Sequence, residues 1–490
     1  MRDDRAKQTT RRGFTLPIDP DPREGDLRVL REDWDVLTRH LLADGDEHAA
    51  LLICGQRQSA SSVTFLVREC ILLTEDDYLD RGSLHLSVAP ATLARVAKRA
   101  RLLNAAVIMV HSHPFPGAVA ASQIDLRTES DLCRRVLPAR TGKVAAALIV
   151  GPDGVDGRVW TPDGAARFRQ IRVIGDSLEN IEVASRGVPG SGSNDRDAHV
   201  REPKDLMEST TERQELLWGR DGQDLLRTAH VVVVGCGGTG SHVATQLAHL
   251  RVGRVTLVDH DIVEPSNLSR IIGLGPCDVG RAKTDALADR LRRINPDGVF
   301  DAVPESILDV DPQIYTAADI IVCATDGHGS RSLLTEISAQ YYLPVVDLGV
   351  EVVCGASFRA GGGVRVLRPG RGCLWCAGNL SPALVREEYL TETERQAELE
   401  RGYLRDVHEP APSVVALNGV VASLAVMEVC QLLVAMLGGA RDRLLYRSEK
   451  RALTTTALES RPQCHVCGDA GIQGLGDAAP IKTRWRIQAA

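Results

Sequence analysis

Three groups of residues in this chain have types and spacings suited to chemistry. His111 and His113 follow the apolar run AAVIMV. Two histidines at i and i+2 leave a strand on one face, so both imidazoles can meet one metal. Asp125 offers a third ligand and leaves a fourth position for water, the arrangement of a catalytic zinc, which lowers the pKa of that water towards about 7. A general base is still needed, and Glu47, at the start of EHAALLICG, is the best-placed carboxylate. Ser122 to Asp125 also has the pattern of a capping box at a helix start.

The second group is Gly235, Gly237, Gly238 and Gly240, placed between four valines, Val231 to Val234, and the apolar-periodic stretch 241–250. Strand, glycine turn and helix let a phosphate chain approach the backbone and meet helix N-terminal amides. Asp259, at the end of the next strand, is placed for a ribose hydroxyl. By itself this pattern predicts a nucleotide and suits a nicotinamide dehydrogenase equally well. The third group is two C-x-x-C pairs, Cys373 with Cys376 and Cys464 with Cys467. Four thiolates suit a closed tetrahedral zinc, whose role is stability rather than chemistry. Of the other cysteines, Cys323, Cys354 and Cys430 lie in apolar stretches and read as packing residues.

The elements that position these groups fall into two bodies. At 490 residues and 43% hydrophobic the chain supports two to four cores. A formal charge of −7 gives no overall basic field for nucleic acid, and Met1 to Gly13 lacks an apolar secretion core, so the expectation is a cytoplasmic protein with reduced thiols. Val420 to Leu437 approaches membrane-span length, but Glu428 and Gln431 within it favour a buried helix over a membrane contact. Residues 1–26 form an N-terminal segment, 27–184 a first α/β body, 185–206 a polar linker, 207–469 a second body and 470–490 a loose tail. The second body repeats strand–helix–strand through VVVVG, VTLVD, IIVCATD and PVVDLG, which predicts a Rossmann-like, doubly wound, mainly parallel sheet.

Two resemblances sharpen these readings. DHDIVEPSNLSRIIG over 259–273, then Lys283, then ATDGHGSR ending at Arg331, resembles the ubiquitin-activating enzyme superfamily, including ThiF/MoeB-type adenylyltransferases, over most of 207–468. The resemblance implies that Asp259 and Asp261 hold the ribose of ATP, that Asn267, Arg270 and Lys283 surround the triphosphate, and that Asp326 positions Mg2+. The physics agrees: an anionic carboxylate attacking an anionic α-phosphate requires cations to screen both. It further implies that Arg213 reaches the partner subunit's ATP in a homodimer, and that the four cysteines form a Zn2+ clip. The expected partner is a ubiquitin-like or sulfur-carrier protein ending in Gly-Gly, with a conjugating enzyme downstream. Many members carry a nucleophilic cysteine where this chain has EPAPSVVALNG, 409–419, with none. The adenylate then passes to an outside thiol or amine, or to Ser413 as an oxyester. Ser413 also reads as a cap of the following helix.

The first body resembles the JAMM (JAB/MPN) metalloproteases from 27 to about 180. That implies Zn2+ on His111, His113 and Asp125, water activated by Glu47 and an oxyanion steadied by Ser122. The stretch from His113 to Ser122 is one residue longer than the usual motif. Together these predict a bifunctional enzyme that activates a carrier and cleaves its precursor or isopeptide bonds. The alternatives are sulfur-carrier activation for biosynthesis, or an adenylating enzyme with a non-catalytic JAMM-like scaffold.

Overall fold

A computed structural model describes residues 24–59, 61–184, 210–354, 358–401, 412–435 and 438–481. The N-terminal segment through residue 23 and the whole expected linker lie outside the described residues. The first body contains β1 (Glu24–Leu30), β2 (Ala49–Gln58), β3 (Ser62–Leu72), a small hairpin of β4 (Tyr78–Gly82) and β5 (His85–Val88), then β6 (Ala106–Ser112), β7 (Ala145–Gly151), β8 (Gly154–Thr161), β9 (Gly164–Ile174) and β10 (Leu178–Glu182). Its large sheet runs β1-β3-β2-β6-β7-β8-β9-β10, and β1 also pairs with β9, which closes it into a barrel. Closure pairs β1 on both sides and leaves β10, bonded to β9 alone, at an edge. Alternate residues Val63, Phe65 and Val67 of β3 point into one core, where the helix Arg31–Leu41 adds Trp34, Leu37 and Leu41. The helix Pro90–Leu102 and the short helix Leu137–Thr141 bury a second cluster outside the barrel.

The second body contains β11 (His230–Val234), β12 (Arg254–Val258), β13 (Val299–Val303), β14 (Ile320–Cys323), β15 (Val345–Val353), β16 (Arg359–Leu367), β17 (Arg443–Arg447) and β18 (Ala452–Thr456). The order β13-β12-β11-β14-β15 is parallel throughout, and its inner strands β12, β11 and β14 are buried almost end to end, as a sheet covered on both faces requires. The chain winds outward from β11 to β13 and then returns to β14. A crevice therefore opens beyond the carboxyl ends of β11 and β14, where such sheets bind ligands. An expectation of a mainly parallel sheet covers only this half, because β15 through β18 are antiparallel. The helix Val415–Val434 is long and apolar enough to cross a membrane by composition, but Val421, Ala422, Ala425 and Val429 are buried in the core cluster of this body.

One expectation is corrected. The segment after Asp469 reads as a loose tail, yet residues 472–481 form a strap lying across both bodies. Asp477 N donates to Gln56 O at 2.7 Å, Gln58 N donates to Asp477 Oδ2 at 2.7 Å, and Gln340 Nε2 donates to Gly476 O at 2.7 Å, while Ile481 is buried. Composition misses this because backbone hydrogen bonds, more than an apolar run, order the strap. Elsewhere Arg28 Nη1 donates to Tyr341 O at 2.8 Å and Tyr342 Oη to Val67 O at 2.8 Å, and Leu66 and Ile174 of the first body share a core with Val232 and Leu343 of the second. The two bodies meet across a buried, partly apolar interface.

Candidate active sites

The candidate metal site of the first body is assembled by register. Ala49 of β2 pairs opposite His111 of β6, and Ser112 N donates to His48 O at 2.9 Å, so Glu47 stands beside the end of β6. His48 N donates to Ser112 Oγ at 2.9 Å and locks the same junction. Asp125 lies 3.6 Å from His111 Nε2 through Oδ1 and 3.6 Å from His113 Nε2 through Oδ2. The three ligand atoms lie within 4.8 Å of one another. His111 Nε2 is buried with no hydrogen-bond partner, a donor set that fits a metal ion. Glu47 Oε1 is 3.9 Å from His113 Nε2, and burial pushes its carboxyl up to about 7, the range of a general base at neutral pH.

Ser122 and Asp125 do form a capping box: Asp125 N donates to Ser122 Oγ at 3.1 Å and Ser122 N to Asp125 Oδ2 at 2.7 Å, at the start of the helix Gln123–Glu129. The cap and the metal reading are compatible, since it fixes the rotamer that turns Asp125 toward the histidines. In the loop between His113 and Ser122, Gly117 takes φ +120° and its N donates to Asp153 Oδ2 at 2.7 Å.

Sequence reasoning missed what holds this loop from beneath. Asp156 Oδ2 accepts from Ala121 N at 2.8 Å and from Arg158 Nη1 at 2.9 Å, and Arg158 forks onto Glu129 with two bonds of 2.8 Å. Asp156 and Arg158 are fully buried and Glu129 almost so. The signal available was GVDGRVW, where two opposite charges interrupt an apolar strand. Glu129 also ends a helix that passes into a π-helical turn over Ser130–Val136, a distortion that often accompanies functional sites.

In the second body the glycine turn fills the crevice at β11. Gly235 has φ +91°, and a Cβ there would meet Ala324 O at 2.7 Å. A Cβ on Gly240 would lie 1.8 Å from Gly235 O. These two positions therefore require glycine. Asp259 accepts from Cys236 N at 2.6 Å and Asp261 N at 2.9 Å, tying the turn to the end of β12. Lys283 is buried and places Nζ 2.6 Å from Asp261 Oδ2. Burial works against the Asp261 charge, but that ammonium holds its carboxyl below the usual range.

Asn267 is buried beside the half-buried Arg270, whose Nη1 donates to Ser266 O at 3.0 Å. A Cβ on Gly238 would meet Arg270 Cδ at 3.5 Å, which places that arginine over the turn. Asp326 stands exposed after β14, on the other side of the crevice. Gly237 opens the helix Gly238–His249 as its N-cap.

Two further residues complete this site without a sequence signal of their own. Asn418, buried on the long apolar helix, would collide with any side chain at Gly238. Its Nδ2 donates to Ser413 Oγ at 3.1 Å, so the Ser413 hydroxyl points to an amide rather than capping the helix, whose N-cap is Val414. Glu388 takes His328 N at 2.6 Å and Gly329 N at 2.9 Å, and so caps the helix that follows Asp326. Arg213 is not gathered here. It is exposed on the helix Glu212–Thr228, makes no hydrogen bond or ion pair among the described residues, and stands near Leu216 and Leu217, 88% and 62% exposed.

The four cysteines do converge. Cys373 Sγ lies 3.6 Å from Cys464 Sγ, Cys376 Sγ lies 3.4 Å from Cys467 Sγ, and all four sulfurs fall within 4.8 Å. Hydrogen bonds from Cys373 and Ser460 hold the Cys467 thiol below its usual range, which favours a thiolate. The geometry fits one tetrahedral zinc closed on all sides.

A family model described as "ThiF family" matches residues 211–466. The SAMP-activating enzyme E1 of Haloferax volcanii is 29% identical over 262 residues, 53% of this chain and 87% of that protein. The molybdopterin-synthase adenylyltransferase of Salmonella typhimurium is 31% identical over 263 residues, 52% of this chain and 94% of that protein. Among solved structures, E. coli MccB aligns with a TM-score of 0.43 and 22% identity over 55% of this chain and 75% of that chain.

Proposed function

The chain belongs to the ThiF family, and from that premise we propose that its second body is an ATP-dependent adenylyltransferase acting on the C-terminal carboxylate of a ubiquitin-like or sulfur-carrier protein. The observation that carries this reading is Lys283, buried beside Asp261 at the glycine turn with Asn267 and Arg270 nearby. The turn's amides and helix N-terminus receive phosphates, while Asp259 and Asp261 face the ribose side. Lys283 and Arg270 screen the approach of the carrier carboxylate to the α-phosphate. Asp326 would hold magnesium, which when bound adds further positive charge at the leaving pyrophosphate.

Arg213 serves a second subunit's site, and the exposed leucines beside it supply an apolar contact for that dimer. Among the described residues no base contacts Ser413, so the activated carrier leaves for an outside thiol, amine or sulfur donor. ATP–pyrophosphate exchange with small proteins ending in Gly-Gly tests the reading. Lys283→Ala is expected to lower exchange about a hundredfold or more, and exchange at the wild-type rate in that variant would sink the assignment.

We propose further that the first body is a zinc-dependent hydrolase of JAMM type, cleaving isopeptide or precursor bonds of the same carrier. It rests on Glu47 standing beside the three-ligand cluster, with His111 Nε2 otherwise unpartnered. His111, His113 and Asp125 would hold a zinc ion, which when bound acidifies water and polarises a carbonyl. Glu47 accepts the proton of the attacking water and returns it to the leaving amine. Glu47→Gln should keep zinc at full stoichiometry and lose cleavage of a carrier–lysine isopeptide by about a hundredfold or more. A first body that purifies without zinc on these ligands would instead be a scaffold.

A further inference from the structure

The first body meets the second along one edge of the parallel sheet, the edge at which its strands begin. Arg172 Nη1 of β9 lies 2.6 Å from Asp319 Oδ1, just before β14, and Asp319 Oδ2 accepts from His230 N, the first residue of β11, at 2.7 Å. Arg28 Nη1 donates to Tyr341 O and Tyr342 Oη donates to Val67 O, both at 2.8 Å, and these two tyrosines precede β15. Asp176 pairs with Arg368 through its side chain, and its backbone O accepts from Ala440 N at 2.9 Å. Arg368 follows Leu367, which lies opposite Val345 at the start of β15, and Ala440 precedes β17, whose start pairs with the end of β16. Each of these contacts falls on the amino edge.

The nucleotide crevice opens on the opposite edge, where Gly235, Asp259 and Asp326 follow the ends of β11, β12 and β14. The helix His328–Tyr341 runs from that edge back to the contact, and its 14 residues span about 21 Å at the rise of an α-helix. The metal cluster is displaced again within the first body. Val67 is at the contact, whereas Leu73, six residues further along the chain, donates its N to Ala49 O beside His111, a distance of roughly 20 Å in extended backbone. Among the described residues the side chains of Glu47, His111, His113, Ser122 and Asp125 make no hydrogen bond or ion pair with the second body.

We infer that the two sites share a carrier only through solution. A tail freed at the metal site leaves the protein before its carboxylate enters the nucleotide crevice, and an activated tail is discharged to a soluble acceptor before any bond it forms is cut. The inference rests on both activities proposed above. Hydrolysis breaks an amide bond with water and frees the terminal carboxylate and an amine; in a separate encounter that carboxylate displaces pyrophosphate from ATP. A tail of about six residues reaches only about 20 Å when fully extended, and the path between the sites runs the length of a helix and then along β3. A carrier docked at one site therefore has to let go of it to reach the other. The substrate of the hydrolase is then a free precursor or a finished isopeptide, not the adenylate formed on the same chain.

The test uses the full chain with ATP and magnesium, and as probe a small Gly-Gly protein that supports pyrophosphate exchange. Its precursor, extended beyond Gly-Gly and labelled with heavy isotopes, is mixed with about a tenfold excess of the unlabelled mature form at micromolar concentration. Mass spectrometry of the carrier adenylate should find the same heavy fraction as in the free mature carrier, about tenfold below the undiluted value. A direct handover would present the tail at an effective concentration of about millimolar, against which a micromolar pool does not compete. Heavy adenylate in excess of the free pool, with both activities present, overturns the inference alone. A chain that exchanges pyrophosphate but never cleaves the precursor, or cleaves it without exchange, removes the reading of that one site and the inferred order with it.

Discussion

At the scale of single residues, the chemistry depends on charges whose positions are fixed by groups that never touch substrate. Asp156 is the clearest case. Its Oδ2 takes both Ala121 N and Arg158 Nη1, while Oδ1 takes Gly157 N at 3.0 Å. An asparagine there has one oxygen for three donors on two sides, so one orientation leaves Gly157 facing an amide NH2 and the other leaves Ala121 and Arg158 doing so. The Arg158–Glu129 fork survives the change, and with it a compensated buried charge. Asp156→Asn should therefore fold but let the loop before Ser122 drift, weakening zinc about 10–100-fold, as loss of an outer-shell partner does. Chelator competition measures this, and an unchanged zinc affinity would mean the loop is held by other contacts.

At the scale of elements, the cysteine clip and the strap behave as one unit. Cys464 and Cys467 sit in a knuckle closed by Gly468 N donating to Cys464 O at 2.9 Å, and the strap leaves directly from it. Val466, fully buried, packs among the four cysteines in place of a larger core. So small a cluster would draw most of its stability from a metal held by the four cysteines. Cys464→Ser should lose the structural zinc and lower the melting temperature by roughly 5–10 °C, the size of a few kcal/mol in a domain of this length. Zinc content and a thermal scan decide it, and a variant that keeps both would show that three cysteines suffice.

At the scale of the whole molecule, the strap and the shared core couple the two bodies. Gly476 takes φ +55°, and a Cβ there would lie 2.3 Å from Gln56 O of the first body. Gly476→Ala must therefore strain its backbone or lift the strap, at a cost of about 1–3 kcal/mol. Urea unfolding should show the transitions of the two bodies moving apart, whereas a single unshifted transition would place their coupling in the Leu66–Ile174 core alone.

The sequence was enough for the groups that are local in the chain or rigid in spacing. The turn from Gly235 to Gly240, the His111–His113 pair, the capping box at Ser122 and the two C-x-x-C knuckles each depend on residues a few positions apart, and backbone geometry alone determines what such spacings can do. Convergence across the chain needed the tertiary structure. Only folding brings Glu47 to His113, Asn418 to Gly238, or Asp156 beneath Ala121. The physical reason is that long-range contacts follow from strand order and register, which the summed burial of the whole core selects. A charge inside an apolar strand, or a strap rich in glycine, acquires its meaning from whatever packs against it.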